Sequence, residues 1–415
     1  MSKQVAPETN PAKEPVKPTA HFAGMHEQIA RALSIAEFGV PAQVQTRSQR
    51  GVLIETGRDR LTLSTFDFQT AVSVTVPVET PVAKGYSLLD FAELKKALSA
   101  TVAGETKKVA ARTPVALAGD LLATEHIALP ITTLDIHEFT HPPEATPAVV
   151  TVDAQHFLVQ LNCVLRAAGR DDTLPALTGI QMTLEGEKLT MTATDRYRCA
   201  VAEVLTTPTV KTPEAPMTTH IPADVLGRLA KSLKSYEGPM GIGIVEGGVA
   251  RTTLSMGDTT ITMRSLEDRL PDLTALFPTE CELSVQIDRA TAVRAAKKCQ
   301  ALIKAKGENG APVAFAWDGD KISLAPRIGT ADDQARTKGM AIPSVNTHGS
   351  ADVMRGRTLA FNPAFLLDAL GTFTSDTLTL HLGRTVGPKP VLLTEGAEMA
   401  GTGYRHLLVP VRLAE

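Results

Sequence analysis

Apolar and polar residues alternate along this chain in a pattern that repeats. In VTVDAQHFLVQLNCVLRAA and VQIDRATAVRAAKKCQALIKA, a short β-branched run leads into apolar residues at helical spacing. Asp153 and Asp288 stand at the two junctions, where a helix N-cap belongs, because a carboxylate there accepts unpaired amide hydrogens of the first turn. They lie 135 residues apart, and the same interval back lands near Thr19, another N-cap type, so a first helix is expected from about Ala20 to Ala36. Behind each helix comes an alternating run: Asp59-Arg60-Leu61-Thr62-Leu63-Ser64, Glu187-Lys188-Leu189-Thr190-Met191-Thr192 and Asp320-Lys321-Ile322-Ser323-Leu324. That texture is the mark of half-buried strands. A second helix is predicted in each copy, in LLDFAELKKAL near 88–98, ADVLGRLAKSL at 223–233 and NPAFLLDAL at 362–370.

The chain therefore reads as three copies of helix, strands, helix, strands. Each copy is too long for a solenoid repeat and fits an α+β domain of two helices packed on antiparallel sheet. Proline marks the breaks, in THPPEATP at 140–147 and again at 278–281. Domains are expected over 19–143, 147–278 and 282–415. The first 18 residues, with Pro7, Pro11, Pro15 and Pro18 among polar neighbours, form a tail that cannot bury enough apolar surface to offset its ordering.

Composition narrows the function. At 415 residues the length alone suits about two to four domains. Hydrophobic residues are 43% and aromatics only 4%, so the cores must be aliphatic. A formal net charge of −3 argues against a protein that coats nucleic acid, while leaving room for local basic faces. Cys163, Cys199, Cys281 and Cys299 form no CxxC pair and read as reduced thiols in a cytoplasmic protein. No apolar signal region opens the chain, and no stretch is long enough to span a membrane.

Candidate chemistry is sparse. His137-Glu138-Phe139-Thr140-His141 matches H-E-x-x-H, which on a helix would present two zinc ligands and a general base, so a metallo-hydrolase is a remote alternative. The context opposes it. Leu129 to Ile136 reads as a strand, Pro142 and Pro143 follow at once, and no third ligand is recognisable. Gly238-Pro239-Met240-Gly241-Ile242-Gly243 opens a strand, so a phosphate-cradling loop is not indicated. No catalytic constellation, metal site or cofactor site is recognisable, and the chain is not read as an enzyme.

Three motifs resemble a known family. Leu174-Pro175-Ala176-Leu177-Thr178-Gly179-Ile180 followed by Ala193-Thr194-Asp195-Arg196-Tyr197-Arg198 is similar to the LPxLxG…ATDxxR signature of the bacterial DNA sliding clamp, the beta subunit of DNA polymerase III. Leu270-Pro271-Asp272 with Leu276-Phe277-Pro278 resembles a segment at the end of that family's middle domain. Tyr404-Arg405-His406-Leu407-Leu408-Val409-Pro410-Val411-Arg412-Leu413 resembles its C-terminus. The likeness covers about 147–415 well and the first domain loosely. No LPxLxG equivalent is recognisable around Val40-Pro41-Ala42, and Phe66-Asp67 stands in place of Thr-Asp.

The resemblance implies a homodimer joined head to tail into a closed ring, of which this chain is half. The ring is lined by helices, encircles duplex DNA without sequence preference and serves as a processivity factor. It implies tethering of DNA polymerase and the clamp loader through short peptides. Their pocket would be walled by Leu177, Thr194, Arg198, Pro271, Leu276, Leu407, Val409, Pro410, Val411 and Arg412, with Arg198 and Arg412 placed to orient a ligand's backbone or carboxylate. Cys199 stands where the family usually has Leu, and Val409 and Val411 stand where it usually has Met. Basic residues on the predicted lining helices suit phosphate contact. Arg294, Lys297 and Lys298, with Lys304, share an arc of the helix from Asp288, opposite Ala292, Ala296, Cys299, Leu302 and Ile303. Arg228, Lys231 and Lys234 share a face of a 223–234 helix. Arg166 and Arg170 end the 153–168 helix, and Lys95 and Lys96 lie in the first domain's second helix. The alternative within the same family is a clamp-fold paralogue that acts as a regulator or decoy and is not loaded on DNA.

Overall fold

The computed structural model of the chain describes residues 20–44, 46–57, 59–77, 84–210, 215–319, 321–354, 357–383, 389–399 and 403–413. The tail over 1–18, together with Asp320, Ala414 and Glu415, lies outside the described residues. Two compact units emerge, one of residues 1–145 with 257–262 and one of residues 146–256 with 263–415.

In the first unit, strands Gly85–Asp90, Gly51–Thr56, Arg60–Phe66 and Thr70–Pro77 pair antiparallel in that order. A second sheet runs His21–Met25, Pro114–Ala118, Leu121–Ala123 and Ala128–Pro130. Helices α1 (His26–Ala36) and α2 (Phe91–Ala100) pack together, and α1 lies on Thr70–Pro77.

The second unit holds the same plan twice. Strands Met217–Pro222, Gly179–Glu185, Lys188–Thr194 and Arg198–Leu205 match the first set, and Val150–Asp153, Pro239–Val245 and Arg251–Met256 the second. Helices α3 (Ala154–Leu165) and α4 (Ala223–Ser232) pack as a pair. The last copy has Leu359–Phe361, Val313–Asp318, Lys321–Pro326 and Met340–Ile342 as one sheet. Its other sheet is Leu283–Asp288, Thr377–Leu382, Val391–Thr394 and Arg405–Leu408, with Ser344–His348 added at the outer edge. Helices α5 (Arg289–Ala305) and α6 (Pro363–Thr372) complete it. The fold is α+β with antiparallel sheets, and the three alternating runs singled out in the sequence occupy the same place in each copy.

One local device recurs. A strand closes on a polar residue that then caps a helix. Asp90 accepts from the Glu93 amide, Asp153 from His156, Asp288 from Thr291 and Asn362 from Ala364 and Phe365. The first helix departs from the expectation. It starts at His26, not Ala20, with Met25 as its N-cap and no side-chain cap. Residues 21–25 are instead drawn into a ladder with Pro114–Ala118, which buries Phe22 and satisfies their backbone groups. Helix α4 ends at Ser232, so Lys234 lies beyond it. On α5 the buried stripe is Ala292, Ala295, Ala296, Cys299 and Ile303. Leu302 is off that stripe and 51% exposed, about 100° around the helix from Ile303, which corrects its place on the inner arc.

The cores are aliphatic, as the composition requires, with Phe315 and Phe361 meeting edge to face in the last copy. Two of the buried histidines, His381 and His406, sit in the last copy. His381 lies between the hydroxyls of Ser284 (2.9 Å) and Thr394 (2.8 Å), and His406 meets the Tyr404 hydroxyl at 2.7 Å. Burial pushes His381 down to about 4 and His406 to about 3. Both stay neutral when folded but protonate below about 6.5 in the unfolded chain, which then binds more protons. Stability is therefore expected to be full above about pH 6.5 and to fall as pH drops toward 4, by up to about 2 kcal/mol per histidine at pH 5. Urea midpoints at pH 7 and pH 5 measure this, and equal midpoints would contradict it.

Candidate functional site

The ATDRYR segment folds as a tight turn between strands Lys188–Thr194 and Arg198–Leu205. The Asp195 carboxylate accepts the amides of Tyr197 and Arg198, each at 3.0 Å. Thr194 Oγ1 accepts the Arg196 amide at 3.2 Å and donates to the Arg198 carbonyl at 2.7 Å. Arg196 takes the left-handed backbone at φ 77°. The turn thereby points Tyr197 outward, 54% exposed, and Arg198 inward, 6% exposed.

Arg198 is held on three sides. Its Nε donates to Asp195 Oδ2 at 2.9 Å, its Nη1 donates to Asp368 Oδ2 at 2.7 Å, and its guanidinium lies 4.5 Å from the Phe365 ring centroid. Asp368 and Phe365 share a face of α6. The Tyr197 ring stacks on Phe365 with centroids 5.9 Å apart and planes 27° from parallel. Arg198 therefore ties strand to helix beneath the exposed Tyr197 and the half-buried Phe365, and its bonds point inward.

The chain's C-terminal segment closes the other side. Arg198 to Val201 pair with Leu408 to Arg405, and the Val409 amide donates to the Tyr197 carbonyl at 2.9 Å. The Val411 amide then reaches the Ala360 carbonyl at 2.7 Å. Under the seam, Cys199, Val201, Leu392 and Leu407 form a small buried core against which Leu273 and Phe277 pack. Leu407 and Cys199 are thus buried within the sheet. Val409 is half-buried, Pro410 buried, and Leu276 and Val411 exposed.

The remaining residues expected at the trough stand apart from this hydrogen-bonded knot. Leu177 sits on the turn Pro175–Leu177, its carbonyl accepting the Gly169 amide at 2.7 Å. Pro271 and Arg412 are exposed. Tyr197, Phe365 and Asp368 were not singled out in the sequence. Tyr197 lay inside the ATDRYR motif, and Phe365 and Asp368 have the three-residue spacing of one helix face, but nothing in the sequence said which strand that face meets.

Most of the basic candidates lie on helix surfaces. Lys297 and Lys298 on α5 are exposed, and Arg294 donates to Thr291 Oγ1 at 2.8 Å. Arg228 and Lys231 on α4 are exposed, as is Lys234 beyond its end. Arg166 caps the C-terminus of α3 and lies 3.5 Å from Asp368, while Arg170 is exposed. In the first unit Lys96 is exposed, and Lys95 pairs with Glu37 at 2.6 Å, which offsets its charge.

The H-E-x-x-H residues do not share a helix. The strand expected from Leu129 to Ile136 spans only Ala128–Pro130, and His137 and Glu138 belong to one 3-10 turn, Ile136–Glu138. Glu138 accepts from Ser48 at 3.1 Å, and the His141 ring meets the edge of Phe139. Among the described residues no group of three His, Cys, Asp or Glu is placed to hold a metal ion, and no helix is long and apolar enough to cross a membrane. Burial pushes the Cys163 and Cys299 thiols up to about 11 and Cys199 to about 12, which keeps them protonated and unreactive.

Comparison with known proteins bears on what this arrangement serves. The family model for the central domain of the DNA polymerase III beta subunit matches residues 151–272. The beta sliding clamp of Streptomyces coelicolor is 30% identical over 402 residues, covering 93% of this chain and 97% of that protein. The beta sliding clamp homolog GriR of Streptomyces muensis is 28% identical over 397 residues, covering 94% and 99%. Among solved structures, a putative DNA polymerase III beta subunit from Eubacterium rectale superposes with a TM-score of 0.77 at 15% identity, over 95% of this chain and 100% of that one. A sliding clamp from Pseudomonas aeruginosa bound to griselimycin gives a TM-score of 0.77 at 17% identity, with the same coverage.

Proposed function

This chain belongs to the beta sliding clamp family of DNA polymerase III, and we propose that it encircles duplex DNA and tethers DNA polymerase and the clamp loader to it. Members of that family are non-enzymatic processivity factors of replication, and the chain is not an enzyme. The observation that carries the tethering role is the seam between residues 194–201 and 405–411. It joins segments more than 200 positions apart and sets the half-buried Val409 against the exposed Tyr197, with Leu273 and Phe277 packed on the core beneath. A shallow apolar trough with a few polar anchors suits a short peptide bearing one or two bulky apolar side chains. Pro271, Leu177 and the exposed Arg412 extend its rim in this reading.

The strand plan supports ring closure in this reading. In the second unit the outer strand Arg198–Leu205 of one copy pairs with the last strand, Arg405–Leu408, of the next. The corresponding outer strands left at sheet ends are Met340–Ile342 and Ala128–Pro130. Two unlike edges on one chain join heterologously, and in this reading two copies close the ring. The three copies would correspond to domains over 19–143, 147–278 and 282–415. The basic faces of α2, α3, α4 and α5 would then meet phosphates, and the protein would work in the cytoplasm.

Three measurements test this reading. Sedimentation at micromolar concentration is expected to give twice the 44.1 kDa chain mass, and monomer alone would remove the ring. Deleting Val409 to Glu415 removes one wall and the Tyr197 bond. In calorimetric titration with a leucine-rich hexapeptide the folded truncation is expected to lose binding, and unchanged affinity would discard the trough. Replacing Arg294, Lys297 and Lys298 with Ala removes up to three phosphate contacts. The log–log salt slope of duplex binding is then expected to flatten by about 2–3. A regulator not loaded on DNA would pass the peptide test and fail this one.

A further inference from the structure

We propose that Asp368 couples peptide binding at the trough to DNA binding at helix α3, a coupling that rests on the two roles proposed above. One carboxylate serves two cations. Asp368 Oδ2 holds Arg198 at 2.7 Å, and Asp368 Oδ1 holds Arg166 at 3.5 Å. Arg198 is 6% exposed and sits beneath the Tyr197–Phe365 pair. Arg166 is 52% exposed at the C-terminal end of α3. With Arg170, Asn162 and Thr372 it lines an open groove of about 450 Å³ between α3 and α6, so a phosphate oxygen has access to it.

The two bonds compete for one charge. A phosphate on Arg166 neutralises that guanidinium and weakens its pull on Asp368. Asp368 then centres on Arg198, where the geometry is already shorter and better screened from water. Arg198 is the post on which Tyr197 and Phe365 are set, so a firmer hold preorganises the aromatic face before a peptide arrives. Asp368 is thus a positioning residue for the trough, and duplex DNA is expected to tighten the peptide. Linkage requires the reciprocal: peptide must tighten duplex by the same factor. The route is short and local. It runs through one side chain between two helices that are already bonded, since the Cys163 thiol of α3 donates to the Thr372 carbonyl of α6 at 3.3 Å.

The test is fluorescence anisotropy of a labelled hexapeptide with two adjacent leucines and a phenylalanine, with and without a saturating 20-base-pair duplex at low salt. In the wild type the duplex is expected to tighten the peptide about three- to tenfold, a coupling of ordinary size. Arg166→Ala frees Asp368 permanently. That variant is expected to bind peptide at the tightened level without duplex and to gain nothing from it. Arg166 is a surface residue, so its loss leaves the fold standing. Asp368→Asn is expected to bind peptide weakly and to show no duplex response. A merely structural Asp368 would lower affinity in Asp368→Asn yet leave the duplex response of Arg166→Ala intact. That result, or a wild type whose peptide affinity ignores bound duplex, overturns the coupling while leaving both binding roles in place. If the wild type binds neither probe, the proposed function itself falls and the coupling with it.

Discussion

Everything at the candidate site depends on one piece of strand pairing, the ladder of Arg198–Val201 against Arg405–Leu408. Without it, two sheets of the second unit would each end in an exposed edge, with unpaired backbone groups open to association. With it, they form one nine-stranded sheet, and the turn before Arg198 is brought against the last residues of the chain. The ladder is sealed from both sides. Cys199 and Leu407 are buried beneath it with Val201 and Leu392. Toward the far end, Glu203 accepts from Arg405 at 3.2 Å and lies 3.7 Å from Lys188, while Arg405 rests on the Phe277 ring at 5.2 Å. At the near end the ladder runs out, and the Val409 amide makes its last bond to the Tyr197 carbonyl.

Arg198 closes that end at a cost. Taking a guanidinium out of water is expensive, and its carboxylate partners recover the loss only when the geometry is good. Asp195 at 14% exposure and Asp368 at 34% keep some water, which softens both the penalty and the attraction. An apolar side chain in this place could pack as well and be no less stable. What it could not do is fix a strand end, a tight turn and a helix face in a single arrangement, with an aromatic ring laid over the charge. The residue is better understood as setting geometry than as adding stability.

The same distinction explains what was legible in the sequence. Caps, alternation and period are local properties, and they read correctly: Asp153 and Asp288 cap α3 and α5, and the three alternating runs lie in equivalent strands. Errors arose where a distant segment overrode a local signal. Residues 21–25 continue a helical pattern, but Pro114–Ala118 offers them a ladder, and they take it. Leu302 satisfies the apolar count of α5, yet the surface beneath the helix ends at Ile303 and leaves Leu302 in water. Three residues at the seam, Tyr197, Phe365 and Asp368, acquire meaning only through contacts across about 170 positions, which no spacing along the chain encodes.

Solved clamps at 15% and 17% identity superpose on this chain almost throughout, so the fold asks little of any one position. Alternation at period two, an acidic cap at the strand end and a stripe of small residues under a helix can be met by many sequences. The seam asks for more. Arg198 needs both carboxylates and the ring, and Cys199 and Leu407 face each other across the ladder, both buried. Beside the seam, Val409 and Val411 are β-branched and hold few rotamers, where unbranched methionines would be adaptable. If the proposed peptide docks there, walls of that kind would rank peptides by fit rather than adapt to each, and the discrimination would come from the side chains they refuse.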